Sequence, residues 1–255
     1  MSLLSKWRLI PCLPASGAVQ MAIDTWLLEQ HRLGLHPPTL RFYSWKPVAI
    51  SLGYHQRHYP NFWRDLTWNN QPIELVQRPS GGRAVLHQGD LTYAVIVSGL
   101  AGTRMQSYQR ICEFLIQGWR SLGVELEYGA VGRGYIHNPN CFGTATGADL
   151  VTSDGVKLIG SAQLRRQQAI LQHGSMRLTT DPDLFRHVFG VELAPLALPL
   201  PPEPILPLIA ALTAAAQACF QVELLSQPLS ESEWQSVLRL MSLSPTPMST
   251  IERMQ

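Results

Sequence analysis

A cysteine, a lysine and a pair of glycines carry most of the chemistry this sequence offers. In the stretch Asn138 to Met176, NPNCFGTATGADLVTSDGVKLIGSAQLRRQQAILQHGSM, Cys141 stands among small residues. Lys157 follows sixteen positions later, behind a DG turn and ahead of a strand that ends in small side chains. A thiol with a cation near it is one way to build an acyl transferase, because the thiolate attacks and a positive neighbour favours thiolate over thiol. The plainer alternatives are an inert small side chain at Cys141 and a solvated strand-end lysine at Lys157. Lysine is scarce, however: Lys6, Lys46 and Lys157 are the lysines of the chain, while arginine is used freely. Upstream, Ser80, Gly81, Gly82 and Arg83 form a turn. Paired glycines admit positive φ and close backbone approach, and free N–H groups in such a turn hold an anion or a carbonyl oxygen. A plain tight turn is the competing reading. No GK[ST] follows, so this is not a Walker loop.

The elements that must position these groups read as alternating strands and helices. WRLIP is a short strand, and Ser16 caps a helix in which Val19, Ala22, Ile23, Trp26 and Leu27 recur at helical spacing. LRFYSW, VAISLGY and PIELVQR are strands, with a short helix expected between His55 and Trp68. AVLHQGDLTYAVIVS reads as a hairpin closing at Gln88, Gly89 and Asp90. From Thr103 to Leu122 an amphipathic helix carries Cys112 on its apolar face, which makes that thiol a core residue. VELEY, a glycine-rich loop, and the strands ADLVT, KLIGSAQLR and AILQHGSMRL follow, the last three joined by short turns and hence antiparallel. A helix in DPDLFRHVFG ends the body. Fold class is therefore α/β or α+β, a mixed and largely antiparallel sheet flanked by helices. We divide the chain into a catalytic body over 1–190, a proline-rich linker with a two-helix extension over 191–245, and a disordered tail over 246–255. In that extension Ser230 caps a helix with Glu233 in capping-box position.

Composition narrows the function classes. A chain of 255 residues buries roughly three quarters of its unfolded surface without staples. Cys12, Cys112, Cys141 and Cys219 show no CxxC pair and no ligand-spaced histidines, so neither a disulfide framework nor a metal site is expected. Free thiols suit a reducing compartment, and the expected location is cytoplasmic. A net charge of +2 without a basic stripe argues against nucleic acid. No segment reaches the roughly 18 apolar residues of a membrane span. Lys6 and Arg8 ahead of LIPCLPASG fall short of a leader, because Pro11 and Pro14 interrupt a run that is already too short.

QMAIDTWLL, LRFYSWKPVAISLGYHQ, RPSGGRAVLHQGDLTYAV, then CF followed by DL, DGVKLIGSAQLRR and LQHGSM, in this order and spacing, resemble the biotin/lipoate protein ligase superfamily over roughly residues 1–190. Within it the chain is most similar to the ligase-like octanoyl-[acyl carrier protein]:protein N-octanoyltransferases. The resemblance implies the ligase catalytic-domain fold and a transfer of octanoyl from acyl carrier protein to a lysine on a lipoyl domain, either glycine cleavage H protein or a dehydrogenase E2. It places the nucleophile at Cys141 and the lysine that contacts the acyl carbonyl at Lys157. Arg78, Ser80, Gly81, Gly82 and Arg83 then line the acyl pocket, with His87, Gly160 and Ser161 as further substrate contacts. The apolar residues around Leu86, Tyr93 and Ile159 are candidates for the apolar slot, and Arg133, Arg165 or Arg166 for steering an acidic carrier. No cofactor is implied, and a monomer is expected. ATP and magnesium enter only if the chain is an ATP-dependent lipoate ligase, against which stand Gln77, where ligases show a second arginine, and the lack of a sizeable accessory domain. A lipoyl amidotransferase would use the same thiol chemistry. A non-catalytic module that grips lipoyl domains or acyl carriers is the alternative of another class.

Overall fold

The computed structural model describes residues 4–129 and 147–243. In chain order the described elements are β1 (Ser5–Ala15), α1 (Gly17–Arg32), β2 (Thr39–Trp45), β3 (Ala49–Leu52), a 3-10 turn over Asn61–Arg64, β4 (Thr67–Trp68), β5 (Gln71–Pro72), β6 (Glu74–Gln77), β7 (Val85–His87), β8 (Asp90–Ser98), α2 (Arg104–Ser121), β9 (Leu126–Tyr128), β10 (Leu150–Thr152), β11 (Lys157–Arg166), β12 (Ala169–Arg177), α3 (Pro182–Phe189), α4 (Ile205–Phe220), β13 (Val222–Ser226) and α5 (Glu231–Leu243). Eight strands form the main sheet in the order β13-β1-β2-β8-β12-β11-β10-β9. β1 runs parallel to β13 and to β2, and the other neighbours are antiparallel. The sheet is thus mixed and largely antiparallel, as the strand pattern predicts.

The central strand β8 shows how both faces of this sheet are covered. β8 alternates Leu91, Tyr93, Val95 and Val97 toward one apolar cluster with Ala94 and Ile96 toward another. That is the period-2 division of a strand covered on both sides. The first cluster is closed by Ile111, Phe114, Leu115 and Trp119 of α2 and by Leu208 and Leu212 of α4. The second is closed by Ile23, Trp26 and Leu27 of α1 and by Val237 of α5. Each such large side chain contributes about 1.5–3 kcal/mol on burial. Helix α1 begins as expected, with Ser16 accepting from the Val19 N–H. Its first turn carries no acid of its own, and the Glu74 carboxylate accepts instead from the N–H groups of Gly17 (2.6 Å) and Ala18 (2.8 Å). A carboxylate there complements the positive end of the helix dipole.

Two expectations need correction. AVLHQGDLTYAVIVS is no hairpin: β7 pairs with β3 in the small sheet β6-β3-β7, whereas β8 lies in the main sheet between β2 and β12. The chain steps between sheets at Gly89, whose carbonyl accepts from the Leu178 and Thr179 N–H groups rather than closing a two-strand turn. The expected two-helix extension also contains a strand. β13 adds to the main sheet beside β1, α4 packs on α2 and α5 on α1. A five-residue edge segment flanked by helices is too short for its alternation to be read from sequence. The tail from 246 lies outside the described residues.

One ion pair ties α5 to β1. Arg8, 5 % exposed, donates to both Glu233 carboxylate oxygens at 2.7 and 2.8 Å, and Glu233 also accepts from the Ser230 N–H at 2.6 Å, completing the expected capping box. Burial raises the Glu233 carboxyl, but the bonds from Arg8 and Ser230 and the charges of Arg8 and His36 outweigh it and hold the group at about 2. A depressed carboxyl stabilises the fold above its unfolded value of about 4.5, and that contribution is lost as pH falls through the folded value. Glu233→Gln is therefore expected to lower stability by about 2–3 kcal/mol at neutral pH. The difference from the parent should vanish between about pH 4.5 and 2. Urea titrations at several pH values check this, and a pH-independent difference would refute the ion-pair assignment.

Candidate active site

The loop 78–83, the first turn of α2 and the middle of β11 and β12 enclose a cavity of about 470 Å³, within the usual range for small-molecule sites. Small residues open it. A Cβ on Gly174 would stand 2.5 Å from Ser161 Oγ, 2.7 Å from Tyr93 Cε1 and 2.8 Å from the Gly160 carbonyl oxygen, so no other residue fits there. Of the residues expected at the site, Lys157, Arg78, Gly81, Gly82, Arg83, His87, Gly160 and Ser161 all line this cavity. Ser80 does not face it, since its hydroxyl is buried against His173. Cys141 and Arg133 lie outside the described residues.

Loop 78–83 is shaped by its own arginine. The Arg78 guanidinium donates to the carbonyls of Ser51 (2.9 Å), Gly81 (3.0 Å) and Arg83 (2.7 Å), which fixes the turn around it. Gly82 takes φ +101°, and a Cβ on Gly53 would stand 1.8 Å from the Gly82 carbonyl oxygen. The glycines thus serve both strained backbone and close approach, which the sequence left undecided.

Two buried serine–histidine–aspartate relays support the loop. In one, His173 joins Ser80 Oγ, on Nε2, to Asp24 Oδ2, 2.8 Å from Nδ1. In the other, Ser51 Oγ lies 2.8 Å from His87 Nε2, and Asp90 Oδ2 lies 2.8 Å from His87 Nδ1. Burial pulls the His87 ring down against the opposing charge of Asp90, so the imidazole is neutral. Its Nδ1–H donates to Asp90 and Nε2 accepts the serine hydroxyl. Trp45 stacks on this ring, centroids 3.7 Å apart, and donates to Thr92 Oγ1 at 2.8 Å. Each relay has the atom order of a hydrolase triad. Both hydroxyls are nevertheless buried, and both are tied to the loop: Ser80 belongs to it and Ser51 accepts from Arg78 at 3.2 Å.

Asp24 is the keystone of the first relay. Fully buried, it accepts from Arg41 (2.9 Å), from the Tyr43 hydroxyl (2.9 Å) and from His173. Burial would raise its carboxyl, yet the Arg41 charge and the bonds from His173 and Tyr43 carry it below the ordinary value. Asp24→Asn leaves the guanidinium of Arg41 in the core without a counter-charge, and the expected cost is about 3–5 kcal/mol. Denaturant unfolding checks this, and a loss under about 1 kcal/mol would show that the network carries little.

The cation at the heart of the site is paired. Lys157 Nζ lies 2.9 Å from Asp149 Oδ1, with both side chains about 5 % exposed or less. β11 carries the lysine and the residue ahead of β10 carries the aspartate, so the β10–β11 pairing brings them together. Apolar walls come from Met21, Tyr43, Trp45, Val85, Met105 and Tyr108. Val85 stands beside Leu86, in the neighbourhood expected for the slot, whereas Leu86, Tyr93 and Ile159 themselves belong to the interior clusters. Arg165 donates to Ser107 Oγ and Arg166 lies 3.5 Å from Glu29. Sequence reasoning gave no role to Asp24, Ser51, Arg104, Asp149 or His173. LQHGSM and the DL dipeptide held two of these in plain view, but partnership across the sheet is invisible in a linear chain.

A mixed sheet of this topology, with a cavity over its antiparallel half, a buried lysine–aspartate pair and an arginine-pinned glycine loop, defines a catalytic domain of the lipoate-ligase type. The chain belongs to the lipoyl protein ligase A/B catalytic domain family, which matches residues 16–194. Octanoyltransferase LipM of Exiguobacterium sp. is 39 % identical over 200 residues, 74 % of this chain and 71 % of that protein. Octanoyltransferase LipM of Bacillus subtilis is 38 % identical over 198 residues, 72 % and 69 % of the two chains. Among solved structures, lipoate-protein ligase A bound with ATP superposes with a TM-score of 0.75 at 21 % identity, covering 94 % of this chain and 95 % of that one. A bipartite lipoate protein ligase from Thermoplasma acidophilum gives 0.74 at 20 % identity, covering 95 % and 93 %. These likenesses establish the fold.

Proposed function

We propose that the chain is a cytoplasmic octanoyltransferase that moves an octanoyl group from acyl carrier protein to a lysine of a lipoyl domain, through a thioester on Cys141. The observation that carries this reading is 38–39 % identity, over most of both chains, to octanoyltransferases. The cavity is consistent with it. Apolar walls suit an eight-carbon chain, whose burial contributes about 0.8 kcal/mol per methylene, and Lys157 is a donor for a carbonyl oxygen. Among the described cysteines, burial raises the thiols of Cys12, Cys112 and Cys219, Cys112 to about 12, so none of these is an activated nucleophile.

In the first half-reaction the Cys141 thiolate adds to the thioester carbonyl, the oxyanion is met by Lys157, and the carrier thiolate leaves and takes up a proton. In the second, the unprotonated ε-amine of the acceptor lysine adds to the enzyme thioester. The Cys141 thiolate departs, and the nitrogen loses a proton to leave the amide. Incubating the protein with octanoyl carrier protein in the absence of ATP and weighing it intact tests the reading. Gain of one octanoyl group, discharged by lipoyl domain, is the expected result. Activity only with ATP and free octanoate would assign a ligase, and tight lipoyl-domain binding without acylation a non-catalytic module.

A further inference from the structure

The charges around the cavity exceed what an octanoyl group needs. Arg78, Arg83, Arg104 and Lys157 line it against one carboxylate, Asp149. The transferred group is neutral and asks for one donor at its carbonyl. Arg78 is engaged in shaping the loop and Lys157 is paired with Asp149, but formal charge is not removed by these bonds, and the described lining carries more cations than carboxylates.

These cations are graded by depth. Lys157 is 5 % exposed and sits at the inner end, Arg83 is half-buried, and Arg104 is exposed at the mouth. Arg104 makes no hydrogen bond or ion pair among the described residues. It gains nothing from its own helix either, since at the first turn of α2 a cation faces the positive end of the dipole, and that turn carries no acid. Met105 and Tyr108, on the same side of the helix, line the cavity with it. A thioester whose carbonyl lies at buried Lys157 leads its leaving group toward solvent, and Arg104 is the exposed cation among the described lining residues. Acyl groups held on a carrier hang from a pantetheine arm that ends in a phosphodiester.

Resting on the transferase reading, we infer that Arg104, with Arg83 beside the path, binds the phosphate of the donor's pantetheine arm, so that the enzyme selects donors by this anionic handle as well as by the acyl chain. A guanidinium at the rim offers a planar fork to phosphate oxygens, a contact that an ammonium does not reproduce in geometry.

The test needs no turnover. S-octyl phosphopantetheine and S-octyl pantetheine, thioethers that cannot transfer their chain, are titrated into the full-length protein at low ionic strength and followed by calorimetry. The phosphorylated compound is expected to bind about tenfold or more tightly. Arg104→Gln should reduce this preference to about twofold, while Arg104→Lys retains part of it, and added salt should weaken it in the parent protein. Equal binding of the two compounds by the parent, or an undiminished preference in Arg104→Gln, would overturn the assignment. The two readings fail separately: phosphate preference without octanoyl transfer removes the transferase and keeps the anion site, and transfer without phosphate preference does the reverse.

Discussion

Alanine in place of Cys141 is expected to abolish the octanoyl mass gain and to lower transfer to a lipoyl domain by roughly four to six orders of magnitude, the scale seen when a covalent nucleophile is removed. The reasoning is chemical. Without the thiol, the acceptor amine must attack the carrier thioester directly, and what remains is the contribution of substrate positioning and of the donors around the carbonyl. Serine at the same place would keep an oxygen in position but not a thiolate, because a hydroxyl has no comparable ionised fraction at neutral pH. An ATP-dependent ligase would tolerate either change. Intact-protein mass and a single-turnover transfer assay decide the matter, and a Cys141→Ala protein that still carries octanoyl would end the thioester mechanism.

Lys157→Met should produce the second large effect, and a partner substitution separates its two causes. On the role proposed for Lys157, the change removes a donor to the developing oxyanion, and a loss of about 10²- to 10³-fold in kcat is expected. It also withdraws the cation 2.9 Å from the buried Asp149, with an expected cost of about 3–5 kcal/mol in stability. Adding Asp149→Asn to Lys157→Met removes the buried carboxylate charge and should recover much of the stability while leaving kcat low. Recovery of both would show that the lysine acts only by holding the fold. Recovery of neither would show that Asp149 is itself required, as the group that sets the lysine's position. Denaturant midpoints and single-turnover rates, measured on the same three variants, distinguish these outcomes.

Much of the site was legible before any coordinates. RPSGGR and GVKLIGSA, to which the family resemblance assigned site residues, meet at the cavity, and so does LQHGSM, for which it implied no site residue. The apolar slot was placed only to its neighbourhood, for a physical reason. Leu86, Tyr93 and Ile159 are apolar residues near the right motifs, but strand alternation turns them into the clusters beneath, and the walls come from Val85 next to Leu86 and from Met21, Trp45, and Met105 with Tyr108, on α1, β2 and α2. In the Asp24–His173–Ser80 relay, 149 positions separate Asp24 from His173 and 93 separate His173 from Ser80, and nothing local to Asp24, one acid in an amphipathic helix, distinguishes it from a residue facing water.

What the sequence determined by itself was therefore what depends on residue type and near spacing: helix caps at Ser16 and Ser230, the largely antiparallel mixed sheet and the core position of Cys112. The tertiary structure alone decided which charges face one another and which side chains face the cavity. Glu233 on Arg8, the two relays behind the loop and Arg104 beside loop 78–83 join segments distant in the chain, and Asp149 meets Lys157, eight positions on, only through the β10–β11 pairing. Such pairs are fixed by strand register and helix packing, and these are collective properties of the folded sheet that no single stretch of sequence encodes.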